Sequence, residues 1–358
     1  MVFHLNKWYT YTEDIHSVPA AAPGDGGRLG EKTMTPVATP VALRAHTWDA
    51  ALEETLSGGS DAPALGIAAA PRIAAVHSVH TSVVNIRCGD ALIALAHQRL
   101  DDAPWTVRIA NRDWPALAAS RVDDAVALSP GRIMVGRASG AVRIGLAPEA
   151  ARRLMPAEGT PAPAALRRAL EILSAIPSPT AATSFGALAA DALAAGIRRL
   201  RVSARQLLDA PSPEAADAVA RSAGRLIGLG EGLTPSGDDV LTGLAFVAAH
   251  PGFALRPLLS PLRTVAAAAE AGTTLLSAIT LRAAVDGRAR ARMHDLLLAL
   301  IGADETDLRD AVVRTAAIGH TSGYDILTGI RLGLELERDA RTRSTATLGT
   351  NSRTEEHP

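Results

Sequence analysis

Hydrophobic and polar positions change their period partway along the 358 residues. Between about 72 and 147 the apolar residues come in short runs, HSVHTSVVNIRC, ALIALAHQ, WTVRIA, GRIMVG and GAVRIGLA. Gly89-Asp90 and Ser139-Gly140 stand between runs, where turns between antiparallel strands belong. From about 160 onward the spacing becomes helical in AALRRALEIL, DALAAGIRRLRVSARQLL and EAADAVARSAGRLI. The pattern predicts an α+β chain, with a β-rich domain over 41–155 followed by an all-α domain over 156–337. Residues 1–40 and the tail 338–358 have no apolar period and read as disordered ends. Met34, just before TPVATPVAL, is a candidate natural start.

Start and stop signals place several helices. Ser212 as N-cap, Pro213 at the first position and Glu214 in the first turn open one that ends at Gly228. Further helices are expected over Asp239–Ala249, stopping before Pro251, and over Leu262–Val285, Ala289–Ile301, Glu305–Ala317 and Tyr324–Arg338.

Between two of these helices lies GLGEGLTPSGDDVLTGL, Gly228 to Leu244, too rich in glycine for a helix interior until the adjacent acids Asp238 and Asp239 mark a first turn. Its core SGDDVLTG (236–243) recurs as SGYDILTG (322–329), with six of eight positions identical. Both copies follow glycine-containing loops with threonine, Gly232-Leu233-Thr234-Pro235 and Gly319-His320-Thr321. Such an internal echo asks for a structural reason. Helix capping is one: Ser-x-x-Asp fits a capping box, worth about 1 kcal/mol. Capping leaves Gly237 and Gly323 unexplained, because glycine in a helix costs roughly 0.8–1.0 kcal/mol relative to alanine, and it leaves Thr242-Gly243 and Thr328-Gly329 unexplained as well.

The alternative is that two helix N-termini converge on one small anion, a phosphate or a carboxylate/amide substrate. Free amides and the positive dipole end attract the ligand, and glycine lets the backbone approach. Gly230, Gly232, Thr234, Ser236, Gly237, Asp238, Ser322 and Gly323 then bind substrate. Asp239 and Asp325, which repel an anion directly, orient the loops, meet an amide N–H or hold Mg²⁺ against the ligand. His320 beside Asp325 is a candidate acid or base, and Asp239, Asp325 and His320 form the candidate catalytic set. Thr273, Thr274 and Ser277 either bond back to their own helix or add a third polar wall.

Other features exclude or add little. GLGEG neither follows a strand nor carries the Lys-Ser/Thr ending of a Walker loop, so independent nucleotide binding is not expected. His77, His80 and His97 match no metal-site spacing, and no metal framework is expected from them. Arg198, Arg199 and Arg201 read as a solvated helix face, and Glu231 as a loop carboxylate without a task. A net charge of −1 removes the electrostatic ground for nucleic acid as the main partner, and 3% aromatics supply few stacking platforms. No apolar run reaches the roughly 20 residues that cross a bilayer. The single cysteine, Cys88, forms no internal disulfide and fits a reducing compartment, so cytoplasm is expected.

With TTLLSA between them, GLGEGLTPSGDDVLTG and GHTSGYDILTG resemble the signature of the AllH-type family, long a domain of unknown function, which includes a subunit of oxamate carbamoyltransferase from allantoin breakdown, a branch of purine catabolism. The resemblance lies mainly over Ser212–Gly333. It implies a cytoplasmic, multi-subunit transferase that moves a carbamoyl group between oxalurate and phosphate, giving oxamate and carbamoyl phosphate, with an acyl-CoA-synthetase-like subunit and a second subunit as companions. It carries over onto Gly230, Gly232, Thr234, Pro235, Ser236, Gly237, Asp238 and Asp239, and onto Gly319, His320, Ser322, Gly323 and Asp325. The competing expectation is a non-catalytic assembly or carboxylate-binding subunit of a related amide system, in which the repeated motif is a helix-packing joint.

Overall fold

The structure is a computed structural model, and it describes residues 39–57, 71–176 and 184–351. Of the ends expected to be disordered, 1–40 and 338–358, residues 1–38 with the candidate start Met34 and residues 352–358 lie outside the described residues, whereas 338–351 is helix, a correction to that expectation.

Among the described residues, nine strands build the N-terminal part: β1 (Val41–Asp49), β2 (Arg72–His80), β3 (Val83–Cys88), β4 (Ala91–His97), β5 (Thr106–Ile109), β6 (Ala125–Ser129), β7 (Arg132–Val135), β8 (Val142–Gly145) and β9 (Ala151–Arg152). The order is β5-β4-β3-β2-β6-β7-β8-β1-β9, and β1 also pairs antiparallel with β5, which closes the sheet into a barrel and leaves few edges. Gly89 and Gly131, at φ +59° and +67°, make the tight turns of the β3–β4 and β6–β7 hairpins. Alternating Val84, Ile86, Ile93, Leu95, Ile133 and Ile144 fill the interior and are fully buried. Short helices α1 (Leu52–Ser57) and α2 (Trp114–Ala118) supply Leu52 and Leu117 to the same core.

The rest is helical: α3 (Pro163–Ser174), α4 (Ser184–Asp209), α5 (Pro213–Gly224), α6 (Ser236–Ala248), α7 (Leu259–Ala268), α8 (Leu275–Val285), α9 (Ala291–Gly302), α10 (Glu305–Ala316) and α11 (Ser322–Asn351). Every residue of α6 after Ser236 is buried, as befits a helix apolar on all sides at the centre of a bundle. The expected α5 start holds: the Ser212 hydroxyl accepts from the Ala215 N–H at 3.2 Å. Other helix boundaries differ from expectation: α5 ends at Gly224 rather than Gly228, and α6 opens at Ser236 rather than Asp239. The helix expected over Leu262–Val285 breaks at Gly272, because Thr274 opens a new one by accepting the Ser277 N–H at 3.2 Å. The last helix runs on to Asn351, past Arg338.

Buried charges join barrel to bundle. Asp49, 4% exposed, accepts from the Trp105 N–H at 2.7 Å and from the Arg288 guanidinium, which lies 4.5 Å over the Trp105 ring. Arg290 grips Asp101 at 2.6 Å. Burial pushes the Asp101 carboxyl up, but Arg290 and Arg292 outweigh it and hold it below the usual carboxylate range.

Candidate functional site

The two echoes fold alike. Each begins where a helix ends, α5 for the first and α10 for the second, and each turns into a further helix, α6 and α11. In the first, the Gly237 N–H donates to Leu229 O at 2.8 Å, while Asp238 and Asp239 N–H donate to Pro235 O. In the second, the Gly323 N–H donates to Ile318 O at 2.9 Å, while Tyr324 and Asp325 N–H donate to Thr321 O. These amides, offered by the sequence to an anion, therefore already have carbonyl partners.

Packing accounts for the glycines. A β-carbon on Gly237 would stand 2.0 Å from Leu226 O, and one on Gly323 2.2 Å from Thr315 O, so each is pressed against the end of the preceding helix or the turn after it. At the crossing of α6 and α11, a β-carbon on Gly243 would meet Ile326 O at 2.2 Å, and one on Gly329 would meet Val240 O at 2.0 Å. Val240 and Ile326 are equivalent positions of the echo, as are Gly243 and Gly329, so the two copies face one another about a local two-fold. The close approach inferred from the glycines comes from neighbouring helices.

The same symmetry corrects the capping box. Pro235 stands at the N-cap of α6 without a side-chain cap bond, and Ser236 is already inside the helix. Each serine instead faces the aspartate of the other copy: the Ser236 hydroxyl lies close enough to the Asp325 carboxyl to favour its charge, and the Ser322 hydroxyl does the same for Asp239. Thr234 joins them, its Oγ1 lying 2.7 Å from Ser322 Oγ.

Asp239 is 4% exposed, and its Oδ2 has no hydrogen-bond partner, although the Ser322 and Thr234 hydroxyls lie close enough to favour its charge. Burial outweighs them and, helped by the charges of Asp325 and Asp238, pushes the carboxyl up to about 8. Burial also raises Asp325 and Asp238 against the hydroxyls that support them. Among the described residues, no Arg is among the groups that set the ionisation of these three acids.

Asp238 turns away to tie α8 to the loop. It accepts from the Gly228 N–H at 2.9 Å and from the Thr273 hydroxyl, while the buried Ser277 hydroxyl is near without a bond of its own. Thr274 donates to Leu233 O at 2.7 Å. Thr273, Thr274 and Ser277 thus gather at the glycine loop, where Gly228, Gly230 and Gly232 adopt φ of +70°, +124° and +94°. Glu231, Gly232, Leu233 and His320 are exposed on the two loops.

Two hollows lie elsewhere. An apolar groove of about 580 Å³ between α3, α10 and the start of α11 is lined by Ile172, Ile176, Arg309, Val312, Val313 and Tyr324. Tyr324, the variable position of the second echo, was not among the expected site residues; only its place beside Asp325 pointed to it. A polar hollow of about 460 Å³ on the barrel involves Arg44, His46, Arg112 and Asp113. Among the described residues no three His, Cys, Asp or Glu side chains group as metal ligands would.

A family model for the AllH family N-terminal domain matches residues 44–152, the barrel, and one for the oxamate carbamoyltransferase subunit AllH matches residues 226–334, both echoes included. The chain belongs to the AllH family. Its members are described as a subunit of a carbamoyltransferase, which places this AllH-family chain among proteins that work in a complex. No solved structure matches the chain. Among the described residues no helix is long and apolar enough to cross a membrane.

Proposed function

We propose that this chain is the substrate-holding subunit of a cytoplasmic carbamoyltransferase complex, and that the paired Ser-Gly-x-Asp loops form its site. The observation that carries the reading is Asp239: a buried carboxyl with one oxygen unpartnered, faced by hydroxyls from both loops. A fully buried polar atom without a partner calls for an explanation, and a catalytic task is one of those known. A carboxyl raised to about 8 is mostly protonated at neutral pH and can donate a hydrogen bond to a carbonyl oxygen as charge grows there.

The reaction implied is carbamoyl transfer between oxalurate and phosphate. A phosphate oxygen bonds the ureido carbon, the C–N bond breaks, and the departing nitrogen takes a proton to give oxamate and carbamoyl phosphate. Asp239 is assigned the carbamoyl oxygen, Asp325 the substrate N–H groups, and the exposed His320 the proton passed at the mouth. An acyl-CoA-synthetase-like subunit and a second subunit are the proposed partners, and Mg²⁺, if used, would enter with phosphate.

A second reading has its own observation: all four glycines within the echoes face helices, as a packing joint requires. One experiment separates the two. The complex assembled with Asp239→Asn or Ser322→Ala is assayed for carbamoyl phosphate, and its composition is checked by gel filtration. Lost activity in an intact complex supports the site, whereas a dissociated complex supports the joint.

A further inference from the structure

The reading of the paired loops as a substrate site leaves open which end of the substrate they take. We infer that they hold the neutral carboxamide or ureido end of the substrate and leave its carboxylate, and any phosphate, outside the loops. This rests on the reading above and refines it.

An anion needs donors, and the helix starts have few to spare. All six amides that follow the two serines, those of Gly237, Asp238, Asp239, Gly323, Tyr324 and Asp325, donate to Leu229, Pro235, Ile318 or Thr321 carbonyls at 2.8–3.2 Å. Among the described residues no arginine acts on Asp238, Asp239 or Asp325, so a carboxylate or phosphate placed among them would meet acids with no guanidinium of these residues to offset them.

A primary amide presents the opposite chemistry. Its two N–H groups need acceptors, and its one carbonyl needs a donor. Asp325, partly exposed and held by the Ser236 hydroxyl, is an acceptor at the mouth. Asp239 Oδ2, buried and unpartnered, together with the hydroxyl pair Thr234 and Ser322, offers either role because O–H groups rotate. The local two-fold sets one acid and one hydroxyl from each copy around a planar group, as an amide with two unlike edges requires. A site of this kind rejects an isostere that lacks the N–H groups, because its acceptors would then be left unpaired.

The test is isothermal titration of the full chain at pH 6.5 with three probes: oxamate, which carries an amide and a carboxylate, oxalate, in which a carboxylate replaces the amide, and inorganic phosphate. Oxamate should bind saturably, and neither oxalate nor phosphate should compete with it. Ser322→Ala and Thr234→Val should each weaken oxamate about tenfold or more. Thermal unfolding of each variant shows that it is folded. Oxalate or phosphate competing with oxamate, with or without Mg²⁺, and sensitive to Ser322→Ala, overturns this inference while the loops remain a site. Oxamate binding that ignores both hydroxyl variants, or no binding by any probe, overturns the inference and the site reading together.

Discussion

A β-carbon on Gly329 would stand 2.0 Å from the carbonyl oxygen of Val240, closer than any real contact allows, and the echo position Gly243 stands in the same relation to Ile326. Helices α6 and α11 can cross this tightly only because both lack a side chain there. The repeated glycine is thus a consequence of packing, and the proposed site at the helix starts depends on it.

Gly243→Ala and Gly329→Ala should each destabilise the protein. Overpacking typically costs about 1–3 kcal/mol, and here backbone must move, so the upper end is expected. In thermal unfolding this is a fall of roughly 2–4 °C per kcal/mol. Gly224→Ala and Gly302→Ala are controls, since an added carbon there meets nothing within 4 Å. They should be neutral or slightly stabilising. Equal behaviour of all four would contradict the crossing.

Asp239 predicts a pH dependence. Its folded pKa, about 8, lies above the roughly 3.9 of an unfolded aspartate, so the folded state holds the proton more tightly. The stability it contributes is full below about pH 4 and is lost as pH rises towards 8. Burial moves Asp238 and Asp325 in the same direction. Urea midpoints between pH 5 and 8.5 should therefore fall with pH in the parent and fall less steeply in Asp239→Asn. Parallel slopes would show that Asp239 is ionised in the fold.

His294 acts on the acid side. Burial lowers it to about 4, and the neutral ring accepts the Ala289 N–H at Nε2 and stands edge-on to Phe246 at 4.9 Å. With an unfolded value near 6.5, its contribution is present above that pH and lost as pH falls through 4. His294→Gln should flatten the loss of stability between pH 6.5 and 4 seen by the same method.

How much of this was legible in the sequence depends on which force decides each feature. The strands of the barrel and the start of α5 at Ser212 follow from local period and capping, which neighbouring residues determine. Closure of the barrel through β1 and β5 does not, because it joins distant strands. The echo made the convergence of Ser236 and Ser322 legible, and with it the acids. What the sequence could not tell was the exchange of partners between copies: a Ser-x-x-Asp within one segment reads as a cap, and only the crossing shows that each serine serves the other aspartate. The glycines misled for the same reason, since a missing side chain does not say whether a ligand or a helix fills its place.

The join between barrel and bundle gives a prediction away from the site. Arg288→Ala leaves Asp49 buried without its guanidinium, and breaking a buried pair costs about 3–5 kcal/mol. Adding Asp49→Asn should recover part of that loss. A double-mutant cycle in urea measures it, and a coupling near zero would show that the Trp105 N–H and stacking hold the join unaided.

The most direct measurement is a crystal structure of the full chain with oxamate. The account predicts the ligand between the two loops, its amide end within hydrogen-bond reach of Asp239, Asp325, Thr234 or Ser322. Oxamate seated instead in the groove beside Tyr324 and Val312, or on the barrel near His46 and Arg112, with the loops empty, would contradict it.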